Sequence, residues 1–556
     1  MHILKKYWVF LILVLFSVPA AYQLLGKGFY EPSDLHHIAD IYQMFRAFVS
    51  GQIPGRLGPD FTFGWGYPLF NFYYVLPFYI GALWFYISGS LTWSFKLVFI
   101  LSIFISTPAM YLFLKQYFKK LPSFVGAILY LYTPFRALEI YVRGAIGEAL
   151  AISLLPLAFY VLSRVAKDSG KKNIAIAAIV LALFFLSHNY LWILAAPWII
   201  LFFVKTKPTK YLGLAISSIL AAGLSIYWWL PAIIEQKYVS AVTPFPLIDH
   251  FPFIKQLLIP SWGYGASVAG PGDGISFQIG LVNLFAIVAA AIIIVFYRKL
   301  IKKENIYLIV WALVGFFVTF SMMNIRSYPI WKLLPIYNFV QFPWRLLFLT
   351  TFFSAFAIAC VIEVLPEKMS KVLSVVVIIF SIALTINYFK PSKIFYKNDN
   401  QYLSRMFANR TVSGEKSDVS LEYYNWSEDY LLLPVWADKR PVSLPTQKIE
   451  GDKVITVSNI KQISVVHWSA NIDSKAGGVV TYWAYYFPGW FSKVDGRMVD
   501  LHPGKPYGQI LVNVPEGKHF IEFYWAETDF RKKADYISLV SLVIVLALLV
   551  LQFKRE

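Results

Sequence analysis

Residues 28–51, GFYEPSDLHHIADIYQMFRAFVSG, contain the ionisable side chains best suited to proton transfer. Pro32-Ser33 predicts a helix start and Gly51 a helix end, so Asp34 falls in the first turn. The helix dipole favours an ionised carboxylate at that position. Such a carboxylate, with an open face, can act as a general base toward a hydroxyl. The alternative is that Asp34 only caps the helix, the commonest use of aspartate there.

Two histidines and a second aspartate follow on the same segment: His36, His37 and Asp40. We expect His37 and Asp40 to belong to a substrate-binding site beside Asp34. A divalent metal bound by all three is the alternative. Neighbouring histidines point in different directions on a helix, and no HExxH-like spacing is present. The sequence therefore favours a substrate-binding role for these residues over a metal site. The apolar residues recur at the spacing of an amphipathic helix at a membrane surface: Leu35, Ile38, Tyr42, Phe45 and Val49.

A second group of charges lies in FRALEIYVRGAIGEALAISLLP, residues 135–156. It includes Arg143 and Glu148, together with Arg136 and Glu139. Burial of these charges at the edge of an apolar segment is costly unless they are paired or used. Arg143 could bind a lipid phosphate through two parallel hydrogen bonds. A structural ion pair between Arg143 and Glu148 is the alternative.

Further polar groups stand at the ends of apolar segments. Arg345 follows Gln341-Phe-Pro-Trp at a predicted helix start, where it could clamp an anionic headgroup or only extend to the interface. We include His188 and Arg345 among the candidate substrate-binding residues. The complete group is His188, Asp249, His250, Arg326 and Arg345.

The segment FTFGWGYPLFNFYY, residues 61–74, alternates glycines with aromatic residues. Glycines allow close approach, and aromatic faces suit the C–H surfaces of sugars or isoprenoid chains. An aromatic belt at the membrane interface is the alternative.

The elements that position these residues are largely membrane helices. The 556 residues are 58% hydrophobic and only 15% charged, more apolar surface than a soluble protein of this size can bury. This composition excludes collagen, coiled coil, disordered tails and secreted disulfide scaffolds. The one cysteine, Cys360, cannot form an internal disulfide. We attribute the net charge of +19 to cytoplasmic loops rather than to nucleic-acid binding.

Apolar stretches of sufficient length predict about 12 spans. The stretch 68–88 is also long enough, but its aromatic content suits an interfacial or re-entrant segment. If it does not cross, five basic clusters share the cytoplasmic face, as the positive-inside rule requires. The predicted spans are 7–25, 93–114, 121–135, 149–163, 174–188, 190–204, 211–234, 276–297, 305–323, 345–365, 372–389 and 536–553.

This topology places the loops 26–92, 136–148, 235–275 and 324–344 outside the cell. We expect a transmembrane domain at 1–389, an extracytoplasmic domain at 390–535, and a final helix with a short cytoplasmic tail at 536–556. The C-terminal domain alternates with period two and has turns at Pro488-Gly489, Asp495-Gly496 and Glu516-Gly517, which predicts a β-sandwich. Its scattered histidines show no catalytic cluster, and its aromatic residues could bind glycans or pack the core.

The chain resembles the bacterial membrane proteins labelled 6-pyruvoyl-tetrahydropterin synthase-related. The resemblance rests on SDLHHIADIYQMF, WGYPLFNFYYVLP, YVRGAIGEALAISLLP, LSHNYLWIL, VQFPWRLL, DYLLLPVWA and YYFPGWFSKVDG, in this order. The family in turn resembles the GT-C membrane glycosyltransferases.

The GT-C resemblance implies a polyprenyl-phosphate sugar donor and an inverting reaction with Asp34 as the catalytic aspartate of the first outer loop. It implies a second loop acid, Glu148 or Glu139. The chain departs from the pattern because no Asp-Asp or Asp-x-Asp pair accompanies Asp34, which leaves metal dependence open. The expected function is transfer of a sugar to an envelope glycan, lipid or protein at the plasma membrane. The alternatives are a transporter or flippase of envelope lipids and a non-catalytic envelope-assembly protein.

Overall fold

A computed structural model describes residues 2–204, 208–240, 245–407 and 432–553. Within these ranges the chain is mostly helical up to residue 407, and β-strands follow in the C-terminal part. The helices are α1 (His2–Ala21), α2 (His37–Val49), α3 (Phe61–Gly64), α4 (Leu69–Phe72), α5 (Leu76–Ser88), α6 (Leu91–Leu114), α7 (Lys120–Leu131), α8 (Pro134–Ala137), α9 (Ile146–Lys167), α10 (Lys171–Ser187), α11 (Leu191–Phe203), α12 (Pro208–Glu235), α13 (Ile254–Leu258), α14 (Leu281–Tyr297), α15 (Lys303–Met322), α16 (Tyr328–Leu333), α17 (Leu347–Val364), α18 (Glu367–Ala383), α19 (Asp399–Met406) and α20 (Asp529–Phe553).

Eight helical segments of the described ranges are long and apolar enough to cross a membrane. They confirm the prediction of a polytopic helical protein. The other four predicted spans correspond to α7, α10, α11 and α14, which have 12 to 17 residues. The total of about 12 spans therefore stays a prediction. The eight segments are Trp8–Leu25, Leu91–Leu114, Ile146–Lys167, Lys210–Tyr238, Lys303–Met322, Pro343–Val364, Glu367–Tyr388 and Asp529–Leu551.

The stretch 68–88 is not one continuous helix. It contains the single turn α4, an extended residue at Tyr73, and α5, which has 13 residues. A helix of this length measures about 20 Å, which is shorter than the roughly 30 Å hydrocarbon core. α5 packs against α2 so closely that a Cβ atom on Gly81 would lie 2.7 Å from Ile41. Some of the apolar side chains of 68–88 are therefore buried by packing within the first loop.

The amphipathic helix of the first loop starts later than its sequence predicts. α2 begins at His37, and residues 33–36 form a turn in front of it. The backbone N–H groups of Ser33 and Asp34 donate instead to the carbonyl oxygens of Val142 and Arg143, at 3.0 and 2.7 Å. These hydrogen bonds with another loop replace the first helical turn. The predicted end is confirmed, since α2 ends at Val49 and Gly51 has φ +86°.

Two antiparallel sheets form the C-terminal β-sandwich. The four-stranded sheet has the order β3-β6-β10-β9, and the five-stranded sheet has the order β4-β5-β11-β7-β8. Their inner faces share a core that includes Ile472, Tyr482, Val512 and Phe523. A two-stranded pair, β1-β2, links the sandwich to the end of α12. The strands are β1 (Val239–Ser240), β2 (Leu433–Pro434), β3 (Ile449–Gly451), β4 (Ile455–Ser464), β5 (His467–Ser474), β6 (Gly478–Tyr485), β7 (Trp490–Val494), β8 (Arg497–Val499), β9 (His502–Pro503), β10 (Gln509–Val514) and β11 (Gly517–Trp525).

Buried ion pairs fasten the sandwich to the helical part. Arg531, at the start of α20, donates to both carboxylate oxygens of Glu235 at 2.8 to 3.0 Å and to the carbonyl of Pro488 at 2.8 Å. Arg56, in the first loop, donates to Glu527 and Asp535, each at 3.0 Å. Both guanidinium groups are fully buried, so the first loop, α12 and the sandwich are held together by charges withdrawn from solvent.

Candidate active site between the first two loops

Asp34 lies where the first two loops meet. Its backbone is fixed by the hydrogen bond to Arg143, and its Oδ2 lies 3.5 Å from Arg143 Nη2. The carboxylate is 27% exposed, whereas the guanidinium beside it is only 8% exposed. Asp34 therefore combines an oriented carboxylate with access to solvent, which a proton acceptor needs.

Arg143 occupies the centre of the charge cluster. Its Nη1 donates to Glu139 Oε2 at 2.7 Å and to Glu148 Oε1 at 2.8 Å. Its guanidinium also lies 4.8 Å from the ring of Trp344. A π-helical turn, Leu138–Arg143, presents this side chain and ends at Gly144, which has φ +74°. A Cβ atom on Gly144 would lie 2.4 Å from Pro32, so the absence of a side chain brings the two loops together.

Glu148, near the start of α9, is shared by two arginines. Its Oε1 accepts hydrogen bonds from Arg143 Nη1 and from Arg345 Nε, both at 2.8 Å. Arg345 Nη1 also donates to the hydroxyl of Tyr190. His188 Nε2 lies 3.9 Å from the same carboxylate oxygen. Glu148 thus holds two guanidinium groups from different helices in one place.

His37 and Asp40 form a second, buried pair on α2. His37 Nδ1 lies 3.0 Å from Asp40 Oδ2, and His37 Nε2 lies 3.2 Å from the hydroxyl of Tyr74. The Tyr74 ring stacks on His188 at 5.2 Å between centroids, which links this pair to the Glu148 cluster. Burial lowers the pKa of His37 well below its usual value and raises the pKa of Asp40 to about 7. Burial therefore shifts both groups toward their neutral forms.

Three donor atoms around this pair match the size of a metal site. One ligand atom each from His36, His37 and Asp40 lie within 4.8 Å of one another. The expectation that adjacent histidines diverge on a helix does not apply, because His36 lies in the turn before α2. Two imidazoles and a carboxylate on one side suit a divalent transition metal with open positions. The residues present therefore fit a divalent cation.

Glu139 completes the charge balance of the cluster. It lies in the π-helical turn Leu138–Arg143 with its side chain withdrawn from solvent, and this burial raises its pKa to about 8. With Glu139 protonated, two carboxylates, Asp34 and Glu148, face the guanidinium groups of Arg143 and Arg345. Among the described residues, Glu139 Oε1 and Glu148 Oε2 are buried without a hydrogen-bond partner.

The structure brings together seven candidate residues from four separate parts of the sequence. They are Asp34, His37, Asp40, Arg143, Glu148, His188 and Arg345. Four other polar groups of the sequence analysis are not part of this set. Asp249 and Arg326 are exposed. His250 lies at the edge of the cluster, since it contacts Ser267 at 3.0 Å and its ring packs against Phe342, which also contacts Arg345. Arg136 is buried between α6 and α9, where it donates to Ser106 and Ser153.

The sequence analysis missed Tyr190 and Trp344, which contact the candidate residues directly, and it noted Tyr74 only as part of the aromatic segment 61–74. Their only signal was an aromatic type next to a polar candidate, as in His188-Asn-Tyr190. The glycine- and aromatic-rich segment 61–74 contributes Tyr74 to this cluster, and another part of it packs against the sandwich. Its Trp65 is 3% exposed and packs against Trp483, Tyr485 and Tyr507 of the sandwich.

Comparison with known proteins supplies a family context for this geometry. The model of the family described as 6-pyruvoyl-tetrahydropterin synthase related domain, a membrane protein, matches residues 70–269. The family resemblance is confirmed. The matched region contains Arg143, Glu148 and His188, whereas Asp34 and Arg345 lie outside it. No curated protein matches the sequence.

The helical fold is similar to that of a solved membrane glycosyltransferase. Arabinofuranosyltransferase AftD from Mycobacteria is 13% identical with a TM-score of 0.50, over 70% of this chain and 28% of that one. The chain thus spans less than a third of the length of AftD. The Archaeoglobus fulgidus oligosaccharyltransferase is 12% identical with a TM-score of 0.44, over 79% of this chain and 61% of that one. The likeness to AftD confirms a GT-C-like fold.

Proposed function

We propose that this chain is a membrane glycosyltransferase that uses a polyprenyl-phosphate sugar donor. The acceptor is a glycan, lipid or protein of the cell envelope, and the reaction takes place at the extracytoplasmic face of the plasma membrane. The carrying observation is the contact between the accessible carboxylate of Asp34 and the buried guanidinium of Arg143, at 3.5 Å. The fold shared with AftD, itself a glycosyltransferase, supports the reaction class.

The carboxylate of Asp34 and the two guanidinium groups have different roles in this reaction. Asp34 accepts the proton of the acceptor hydroxyl, and the acceptor oxygen forms a bond to the anomeric carbon of the sugar. The bond from that carbon to the polyprenyl phosphate breaks, and the configuration at the carbon inverts. Arg143 and Arg345 stabilise the charge of the departing phosphate, since each guanidinium has five N–H donors and the contacts described use only some of them.

The remaining candidates hold this arrangement and the substrate. Glu148 keeps both arginines in place. His37, Asp40 and His188 form the part of the site that contacts the sugar donor, and Tyr74 links them because it contacts both histidines. His36, His37 and Asp40 would hold a divalent cation, which supplies positive charge to a phosphate when bound. We also propose that residues 1–389 and 536–556 form the membrane-embedded part and that 390–535 are extracytoplasmic. Residues 408–431 of that segment lie outside the described ranges.

The test compares envelope glycans from a deletion strain that carries the wild type or the variant Asp34→Asn. We expect the variant to abolish transfer, a loss of at least about 1,000-fold, because a neutral amide cannot accept the proton. Glu31→Gln is the matched control, since Glu31 belongs to the same loop and pairs with Lys397 at 2.6 Å. The control should restore the glycans. Full transfer by Asp34→Asn at equal expression would exclude Asp34 as the base.

The same experiment separates the alternatives. Unchanged glycans in the deletion strain would favour a non-catalytic assembly role. Transport of a labelled lipid-linked sugar by the purified protein without transfer would favour a flippase.

A further inference from the structure

The outer face of the five-stranded sheet carries a cleft that lies apart from the charge cluster. The cleft has a volume of about 250 Å³ and is lined by Tyr524, Glu522, Lys493, His467, Trp525 and Ser50 among others. The first five belong to the adjacent strands β5, β7 and β11. Ser50 belongs to the helical part of the molecule, where it caps the C-terminal end of α2.

Strand register arranges these side chains in two parallel rows. Tyr524 pairs with His467 on one side and Phe491 on the other, which gives a row of rings. Glu522 pairs with Lys493 in the next row on the same face. Alternate residues of a strand are about 7 Å apart, so one small ring-shaped ligand can contact both rows.

The polar groups of the cleft have a mixed charge. Glu522 Oε1 lies 3.2 Å from His467 Nε2, and both side chains remain partly exposed. Lys493 Nζ lies 5.4 Å from the centroid of Tyr524. The carboxylate disfavours strongly anionic ligands such as phosphates, and the single ammonium group disfavours cations. The combination suits an uncharged ligand with many hydroxyl groups.

We propose that this cleft binds a neutral saccharide, with a sugar ring stacked on Tyr524 and its hydroxyls bound by Glu522, Lys493 and His467. Aromatic faces accept the apolar C–H side of a sugar, while the polar row accepts its edge. The cleft lies at the far end of α2 from His37 and Asp40. The 13 residues of α2 span about 20 Å, which an oligosaccharide of several units bridges.

The saccharide bound here is the acceptor chain, and this part of the assignment rests on the proposed glycosyltransferase activity. An acceptor held at the sandwich would run along α2 and present its end near Asp34. The cleft is then a site of acceptor selection, separate from the site of bond formation.

The experiment measures binding of the full-length protein in detergent to an array of linear neutral oligosaccharides of arabinose, galactose, mannose and glucose. We expect binding to at least one series and a loss of about tenfold or more in Tyr524→Ala and Glu522→Gln, whereas Tyr524→Phe keeps the ring and most of the affinity. Phe520→Ala is the matched control, since Phe520 is an exposed aromatic residue on the same strand outside the cleft. It should bind as the wild type does.

Two results would overturn the proposal: no binding of the wild type to any neutral series, or binding that the cleft variants leave unchanged. Binding only to anionic sugars added to the array would also contradict it. Asp34→Asn should bind normally. Loss of glycan transfer with intact binding, or the reverse, therefore distinguishes failure of this site from failure of the proposed enzymatic activity.

Discussion

At the scale of residues, the acids of the cluster differ in their access to solvent. Asp34 keeps a partly exposed carboxylate, whereas Glu148 is withdrawn from solvent and shared by Arg143 and Arg345. A buried carboxylate that neutralises two guanidinium groups is suited to holding them, since its removal leaves unpaired buried charge. The exposed carboxylate is suited to exchanging a proton. Residue type alone does not make this distinction.

The buried position of Glu139 predicts a pH-dependent stability. Burial raises its pKa from the usual value near 4.5 to about 8, so the folded protein retains a proton that the unfolded chain releases. The stabilisation of the folded protein by this proton is complete at low pH and is lost as pH rises through about 8. We therefore expect the thermal midpoint of the wild type to fall relative to that of Glu139→Gln between about pH 5 and pH 9. Measured midpoints in detergent that run parallel would contradict this result.

The sequence identified the candidate residues but not their contacts. Asp34 was singled out by its place in the first turn of a predicted helix, and Arg143 and Arg345 as charges at the ends of apolar segments. The approach of Asp34 to Arg143 depends on Gly144 and on the backbone hydrogen bonds of Ser33 and Asp34, which join distant loops. Such contacts have no periodicity that a single sequence reveals. The turn at 33–36 was mispredicted for the same reason.

At the scale of elements, the stretch 68–88 decides which loops share a face. Its interruption at residues 73–75 leaves α5 with 13 residues, and α5 packs on α2 instead of standing alone. The contact between Asp34 and Arg143 also requires the first and second loops to lie together. Both observations support the interpretation that 68–88 does not cross the membrane.

Labelling with a membrane-impermeant thiol reagent tests this topology. In a Cys360→Ser background, we expect single cysteines at Ile53 and Ser88 to react from the same side of the membrane, since α5 returns to its starting face. Both positions are exposed. A cysteine at Lys120, beyond the span Leu91–Leu114, is the control and should react from the opposite side. Reaction of positions 53 and 88 from opposite faces would make α5 part of a span.

At the scale of the whole molecule, the sandwich is fixed to the helical part by buried charge. Arg531 binds Glu235, which also accepts a hydrogen bond from Asn71 at 2.7 Å. Arg56 reaches Glu527 and Asp535 across the same junction. A rigid junction keeps the cleft of the five-stranded sheet, α2 and Asp34 at constant distances. An acceptor chain that extends from this cleft to Asp34 requires such constant distances.

Removal of Arg531 should loosen this junction. Arg531→Met leaves Glu235 buried without its cation, which costs about 3–5 kcal/mol of unfolding free energy. We expect a lower thermal midpoint and faster release of the sandwich by limited proteolysis. Lys532→Met is the control, because Lys532 is 53% exposed and its pair with Asp529 contributes little. Equal proteolysis of both variants would show that the junction does not depend on this ion pair.

Composition and periodicity alone determined that this chain is a polytopic membrane protein with a C-terminal β-sandwich. These properties follow from the transfer of apolar side chains out of water and from the alternation of side chains along a strand, which are local and additive. The tertiary structure decided which charges meet, where α2 begins and how 68–88 is divided. Those outcomes depend on close approach between distant segments, where a missing Cβ atom or a shared carboxylate outweighs local preference.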